Sequence, residues 1–286
     1  MVRRLPYQHS YHAGNFADVA KHSVLLLLLQ HMQRKSSPFA YVDTHAGAGV
    51  YNLAGAVASQ LLEHESGIQL LAAASADRLP PIAAQLVSLL PNSGDVYLGS
   101  PRIAQTLCRP HDSLILCENA PDQFKLLEKS VGGDARATLL LDDGYKALAR
   151  KEVRRPQQRA LVFIDPPYQM GGDTERIAAL VGALRCHWRS ARIAIWLPLR
   201  ERERGRAERL YTSVADAVRN SSPADILTAE LSCSESAGVG SGILIVNPRY
   251  GIDSELEALL PELGEIMGGS GGLGGEGARV RWLLKS

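Results

Sequence analysis

The sequence predicts an α/β fold built on a mostly parallel sheet. Short apolar runs without alternation recur along the chain, the pattern of strands covered on both faces. Successive runs end on acids: Asp43, Glu118, Asp143 and Asp165. The run Leu161-Val162-Phe163-Ile164 stops abruptly on Asp165-Pro166-Pro167-Tyr168, because neither proline can donate to a sheet ladder. Ligands bind at the carboxyl ends of strands in such sheets, so this row of carboxylates marks the expected functional edge.

With 286 residues and 45% hydrophobic content, the chain can bury a full core. Its net charge of +1 gives no global basic field, so any contact with nucleic acid must use local patches. The four cysteines form no C-x-x-C pair, and Cys117, inside an apolar run, reads as a buried thiol. The basic, polar opening is unlike a signal peptide, and the apolar run 24–29 is too short to span a bilayer. These features point to a cytoplasmic protein without a membrane partner, and a monomer is expected.

Residues 1–22 follow no simple periodicity. His9, His12 and His22 have no cysteine or acidic cluster beside them, so no metal site is expected. A helix follows from residue 15 or 16 to 31, carrying Lys21 and His22 toward the sheet edge. The first strand, 39–42, leads into Asp43-Thr44-His45-Ala46-Gly47-Ala48-Gly49. That small-residue turn lets backbone approach a ligand, but lacks the G-x-G-x-x-G spacing of dinucleotide sites.

Residues 53–95, rich in Ala and Leu and divided by Pro80-Pro81, read as an inserted helical subdomain between 1–52 and 96–286. Ser100 and Pro101 suit a helix cap and first turn. Strands at 113–117 and 137–141 end on Glu118 and on Asp142-Asp143-Gly144. Glu118 is placed to take two ribose hydroxyls. Asp143 could accept from an adenine amine, with helix capping as the plainer alternative. Beyond the Pro-Pro motif come strands at 192–197, 226–233 and 242–246, the last two reading as an antiparallel hairpin, and a final strand at 278–284 after a glycine-rich loop. The mixed run 200–209 reads as a solvated helix face. Lys151, Arg154, Arg155 and Arg159 are better candidates for phosphate contact.

The chemistry suited to Asp-Pro-Pro-Tyr is work on an exocyclic amine. Such a nitrogen delocalises its lone pair into the ring and is a poor nucleophile. The Asp165 carboxylate and the Pro166 carbonyl can each accept one amine hydrogen, aiming the lone pair, while Tyr168 stacks on the base.

The Asp43 turn resembles the first motif of class I methyltransferases. Across residues 7–282, the segments HSYHAGNFADVAKH, VDTHAGAG, LGSP, Glu118, DDG and FIDPPY together resemble the bacterial 23S ribosomal RNA large-subunit methyltransferase J family. The resemblance implies a class I, Rossmann-like fold with a mostly parallel seven-stranded sheet and a helical insertion. It implies S-adenosylmethionine as cofactor and N6-methylation of an adenine in 23S ribosomal RNA. Lys21, His22, His45, Ser100, Glu118, Asp143, Gly144 and Asp165 would then border the cofactor. Asp165, Pro166 and Tyr168 would carry catalysis, and Tyr7, His9 and Tyr168 would meet the RNA. Departures are confined to the inserted segment and the glycine-rich loop.

Competing readings are DNA adenine or protein glutamine methylation, a nicotinamide-dependent oxidoreductase, and a binding protein that kept the fold. A DNA enzyme usually needs an added recognition domain, for which this chain has little room. The missing G-x-G-x-x-G argues against the oxidoreductase, and the intact Asp165-Pro166-Pro167-Tyr168 argues against a non-catalytic protein.

Overall fold

Helix α1 (Phe16–Gln33) is apolar on every side, and 15 of its 18 residues are buried. A helix with no polar face must be covered all round. The computed structural model, which describes residues 12–55, 62–91, 94–149, 158–168, 171–199, 204–233, 239–268 and 277–285, shows how. α1 lies on one face of the central sheet, beneath helices from the insertion and from the end of the chain. Asn15 caps it, its side chain accepting from Asp18 N at 2.9 Å.

The strands of that sheet are β1 (Phe39–Asp43), β4 (Ser113–Glu118), β5 (Ala137–Leu141), β6 (Arg159–Ile164), β7 (Arg192–Pro198), β8 (Ile226–Cys233), β9 (Val239–Val246) and β10 (Ala278–Leu284). They order as β10-β8-β9-β7-β6-β1-β4-β5. β5, β4, β1, β6 and β7 are mutually parallel, whereas β9 pairs antiparallel with both β7 and β8. The expected Rossmann-like α/β class and the closing hairpin are both present. The sheet has eight strands rather than seven, because β10 adds antiparallel to β8 at the edge.

Alternation along each central strand divides the core in two. Phe39, Tyr41, Leu161 and Phe163 pack with α1, α4 (Ser100–Leu107), α5 (Pro121–Val131) and α9 (Ile252–Met267). Ala40, Val42, Val162 and Ile164 face α6 (Gly144–Ala149), α7 (Asp173–His187) and α8 (Arg204–Arg219). Cys117 is fully buried, as its run implied, and burial pushes its thiol pKa up to about 12.

Two three-residue strands, β2 (Val50–Asn52) and β3 (Val96–Leu98), pair antiparallel and hold together the ends of segment 53–95. Within that segment, α2 (Ile68–Ala73) and α3 (Pro81–Ser88) send Ile68, Leu71, Ala83 and Leu86 into the same core as α1. Gln30 of α1 meets Gln85 of α3 at 2.7 Å. Among the described residues no helix is long and apolar enough to cross a membrane.

Candidate active site

From β1 the chain runs outward through β4 to β5, then returns to β6 on the other side and continues to β7. The direction of winding therefore switches between β1 and β6, and a crevice opens there at the carboxyl ends of the strands. Asp43 and its turn stand on one side of the switch and Asp165 on the other.

Asp43 is fully buried at the tip of β1. Tyr41 donates to its Oδ2 at 2.8 Å, Ser100 Oγ donates to the same oxygen at 2.7 Å, and His45 N reaches Oδ1 at 3.2 Å. Ser100 does not cap α4 as its sequence suggested. Gly99 holds the cap position, and Ser100 spends its hydroxyl on Asp43. Burial raises the Asp43 pKa from 3.8 to about 6, against those three bonds.

Only the folded state holds that proton between the two values. Stability is therefore greatest below the unfolded value and falls as pH rises through the folded one, by about 3 kcal/mol in all. Asp43→Asn removes this titration. Its melting temperature relative to the native protein should rise between pH 4 and pH 7, and a constant difference in scanning calorimetry would refute the assignment.

The turn after β1 needs glycine. Gly47 and Gly49 have φ of +62° and +79°, and an added Cβ would lie 2.3 Å from Tyr51 Oη or 2.5 Å from Ser130 Oγ. The turn is thus packed tightly against Tyr51 and Ser130, and Glu118 braces it. One Glu118 oxygen accepts from Gly47 N and the other from Ala120 N, both at 2.8 Å. Carboxylate oxygens hold further lone pairs, so Glu118 can still accept from vicinal hydroxyls beside the turn.

His45 follows Asp43 and is half-buried edge-on to Tyr145, ring centroids 4.9 Å apart. Desolvation pushes its pKa down to about 4, so it is neutral at pH 7. Thr44 Oγ1 donates its single proton to Phe163 O at 3.2 Å and so accepts from His45 Nδ1 at 2.7 Å. Nε2 of His45 is then left as an acceptor.

Asp143 caps α6, its Oδ1 accepting from Tyr145 N at 3.0 Å, and its Oδ2 pairs with Arg176. The capping alternative is therefore realised. Gly144 begins α6 with its Cα tight against Thr44: a Cβ there would lie 2.2 Å from Thr44 O.

Across the switch, the Lys21 ammonium sits between two carboxylates, 2.6 Å from Asp165 Oδ2 and 2.7 Å from Asp18 Oδ1. It also lies 5.1 Å from the centre of the Trp196 ring. Next along α1, His22 Nδ1 meets Tyr97 Oη at 2.6 Å, and both side chains are buried.

In the motif itself, Pro166 is buried and Pro167 exposed. Tyr168 adopts φ +53°, unusual for a bulky residue, and donates to Trp196 O at 2.6 Å. Its ring is nearly buried, tilted against Trp196, and Arg206 of α8 stands 6.0 Å from its centre. Residues 200–203 of the charged run lie outside the described residues; in the rest, Glu208 and Arg209 are exposed, and Arg206 turns toward Tyr168.

Arg159 departs from its expected role. It opens β6 at the opposite end of the sheet and donates to the carbonyls of Met32 and Ser37, where it closes the end of α1. Lys151, Arg154, Arg155, Tyr7 and His9 lie outside the described residues. Asp18 and Trp196 escaped the sequence reading. The three-residue spacing of Asp18 and Lys21 does put them on one helix face, and that was the available signal for Asp18.

Among the described residues no group of three or more His, Cys, Asp or Glu side chains is arranged to hold a metal ion. The turn at Gly47–Gly49, the acceptors of Glu118 and His45, and Asp165 lie along one edge of the sheet. From strand spacing, Glu118 and Asp165 stand about 10 Å apart, two strands from one another.

Comparison with known proteins places the chain in a family. A family model described as "Ribosomal RNA large subunit methyltransferase D, RlmJ" matches residues 36–284. A protein of Escherichia coli K12 named ribosomal RNA large subunit methyltransferase J is 33% identical over 268 residues, 91% of this chain and 92% of its own. One of the same name from Haemophilus influenzae is 31% identical over 270 residues, with the same coverage. The crystal structure of protein LPL1258 from Legionella pneumophila superposes with a TM-score of 0.80 at 26% identity, covering 96% of this chain and 99% of that one. The chain belongs to the RlmJ family of ribosomal RNA large subunit methyltransferases.

Proposed function

We propose that this methyltransferase acts on N6 of an adenine in 23S ribosomal RNA and that Asp165 aims the reacting amine. The reading is carried by one observation: at the switch point, the Asp165 carboxylate follows a strand and precedes two prolines, one strand away from a backbone turn braced by Glu118.

The methyl donor of the family is S-adenosylmethionine, which supplies an electrophilic methyl carbon on a sulfonium. Its fit rests on the Gly47–Gly49 turn, where side chains would fill the space backbone needs, and on Glu118 beside it. Glu118 takes the ribose hydroxyls, and neutral His45 offers Nε2 to an ammonium of the same ligand. Asp143 and Gly144 border the adenine end, Ser100 fixes Asp43 behind the turn, and His22 supports the wall through Tyr97.

On the substrate side, Asp165 and the Pro166 carbonyl would each accept a hydrogen bond from one amine N–H, and the one proton released as the methyl group is gained would leave by way of the Asp165 carboxylate. The lone pair thereby leaves conjugation with the ring and points at the methyl carbon. Tyr168 stacks on the flipped base, its orientation set by the bond to Trp196 O. Tyr7 and His9 meet the RNA substrate. Segment 53–95 is an inserted subdomain held at its neck by β2 and β3. The enzyme works as a cytoplasmic monomer.

Radiolabelled S-adenosylmethionine offered with separate pools of ribosomal RNA, DNA and protein tests the substrate. Label should enter 23S ribosomal RNA as N6-methyladenine; equal labelling of DNA or protein would overturn the reading. Glu118→Ala should weaken cofactor binding by about 10–100-fold, the loss of charged hydrogen bonds. Turnover at saturating cofactor should remain within a few-fold. An unchanged dissociation constant in calorimetry would remove Glu118 from the ribose site.

A further inference from the structure

Asp165 does not face the crevice as an isolated carboxylate. It belongs to a row of three charges, Asp18–Lys21–Asp165, buried at its first two members and partly open at Asp165, with the single ammonium 2.7 and 2.6 Å from its two neighbours. Asp18 and Lys21 are almost wholly enclosed, at 2% and 3% exposure. The second oxygen of Asp18 accepts from Gly14 N at 2.9 Å, and Gly14 O in turn accepts from Ile68 N of the insertion at 2.9 Å. Asp18 is therefore fixed from two sides, and Lys21 is fixed by Asp18.

We propose that Asp18 is a positioning residue for methyl transfer: by sharing the Lys21 ammonium, it leaves Asp165 with the negative charge and free lone pair that the adenine amine needs. The inference rests on the reading of Asp165 given above. An ammonium paired with Asp165 alone would cancel that charge in a low-dielectric setting and draw its electron density toward Nζ. With Asp18 present the three groups carry a net −1, and one carboxylate's worth of charge stays available at the crevice. Without any ammonium, Asp165 and Asp18 would repel each other and take up protons more readily. Lys21 thus holds Asp165 in place, and Asp18 keeps Lys21 from neutralising it. Among the described residues, ionisable groups within electrostatic reach include Asp43 on β1, Tyr97 on β3 and Tyr168 after β6.

Asp18→Asn is the direct test, since the amide oxygen can still accept from Gly14 N. In the full-length protein with 23S ribosomal RNA, kcat should fall by about 10–100-fold while S-adenosylmethionine affinity stays within about threefold. The acid limb of the kcat–pH profile should move to lower pH, because Lys21 then acts on Asp165 alone. Lys21→Met should move that limb to higher pH. The double variant Asp18→Asn/Lys21→Met restores a net −1 and should turn over faster than Asp18→Asn, whereas a purely structural Asp18 predicts a double variant no better than the single one. An unmoved acid limb in either single variant, or a double variant no faster than Asp18→Asn, overturns the proposal. These outcomes are separable from the role of Asp165 itself, because an active Asp165→Ala enzyme would remove the underlying reading whatever Asp18 does.

Discussion

An Asp165→Ala enzyme should bind S-adenosylmethionine within about tenfold of the native protein and transfer methyl groups about 10³-fold more slowly or worse. The two effects separate because the carboxylates are spread along the edge. Glu118 beside the glycine turn is about two strand spacings away, and Asp165 contributes little to holding the ribose. What the variant loses is the acceptor that pulls one amine hydrogen out of the ring plane. Lys21 keeps Asp18 as a partner at 2.7 Å, so the ammonium is not left buried without a counter-charge. Single-turnover incorporation of labelled methyl, measured beside calorimetric binding, distinguishes the two. Near-native turnover at saturating cofactor and RNA would end the assignment.

Gly144→Ala should cost about 2–4 kcal/mol, lowering the melting temperature by about 5–10 °C. The new Cβ would stand 2.2 Å from Thr44 O and 2.8 Å from both Thr44 C and Cα. Those are backbone atoms at the tip of a central strand, tied to Phe163 O through Thr44 N at 3.1 Å, so they cannot swing aside. α6 would have to withdraw, carrying Asp143 and Tyr145 away from His45. Gly182, within α7, is the control: its added Cβ would meet only Ala217 Cβ at 3.9 Å. Alanine there should stabilise by about 0.5–1 kcal/mol. Equal melting temperatures for the Gly144 and Gly182 variants would contradict the close contact.

The parallel strands were legible because a strand covered on both faces has nowhere to put polar residues. The end of β6 was legible because strand, acid and two prolines coincide at 161–168. The β2–β3 ribbon was not: strands of three residues carry no periodicity to detect. The last strand was recognised at 278–284, but its neighbour depends on which sheet edge is open, a property of the assembled fold. Ser100 illustrates a third kind of miss. A serine before a proline reads locally as a helix cap, yet a buried carboxylate from β1 competes for the same hydroxyl and wins. Arg159 follows the same logic. Its place on β6 was right, but a strand has two ends, and the arginine serves the one where α1 finishes.

The lysine that holds Asp165 also fixes an order of events during synthesis. Lys21 and Asp165 are separated by 144 residues. At roughly 5–20 residues per second, roughly 7–30 s pass between their translation. Through that interval the leucines at 25–29 lack the later strands β6, β7 and β9 that α1 packs on, and the ammonium has Asp18 but not Asp165. Contacts of such long sequence separation form late, because a large loop must close first. The Lys21–Asp165 corner is thus among the last parts of the molecule to assemble, and a nascent chain halted before β6 has α1 covered by α3 and α4 but not yet by β6, β7 and β9.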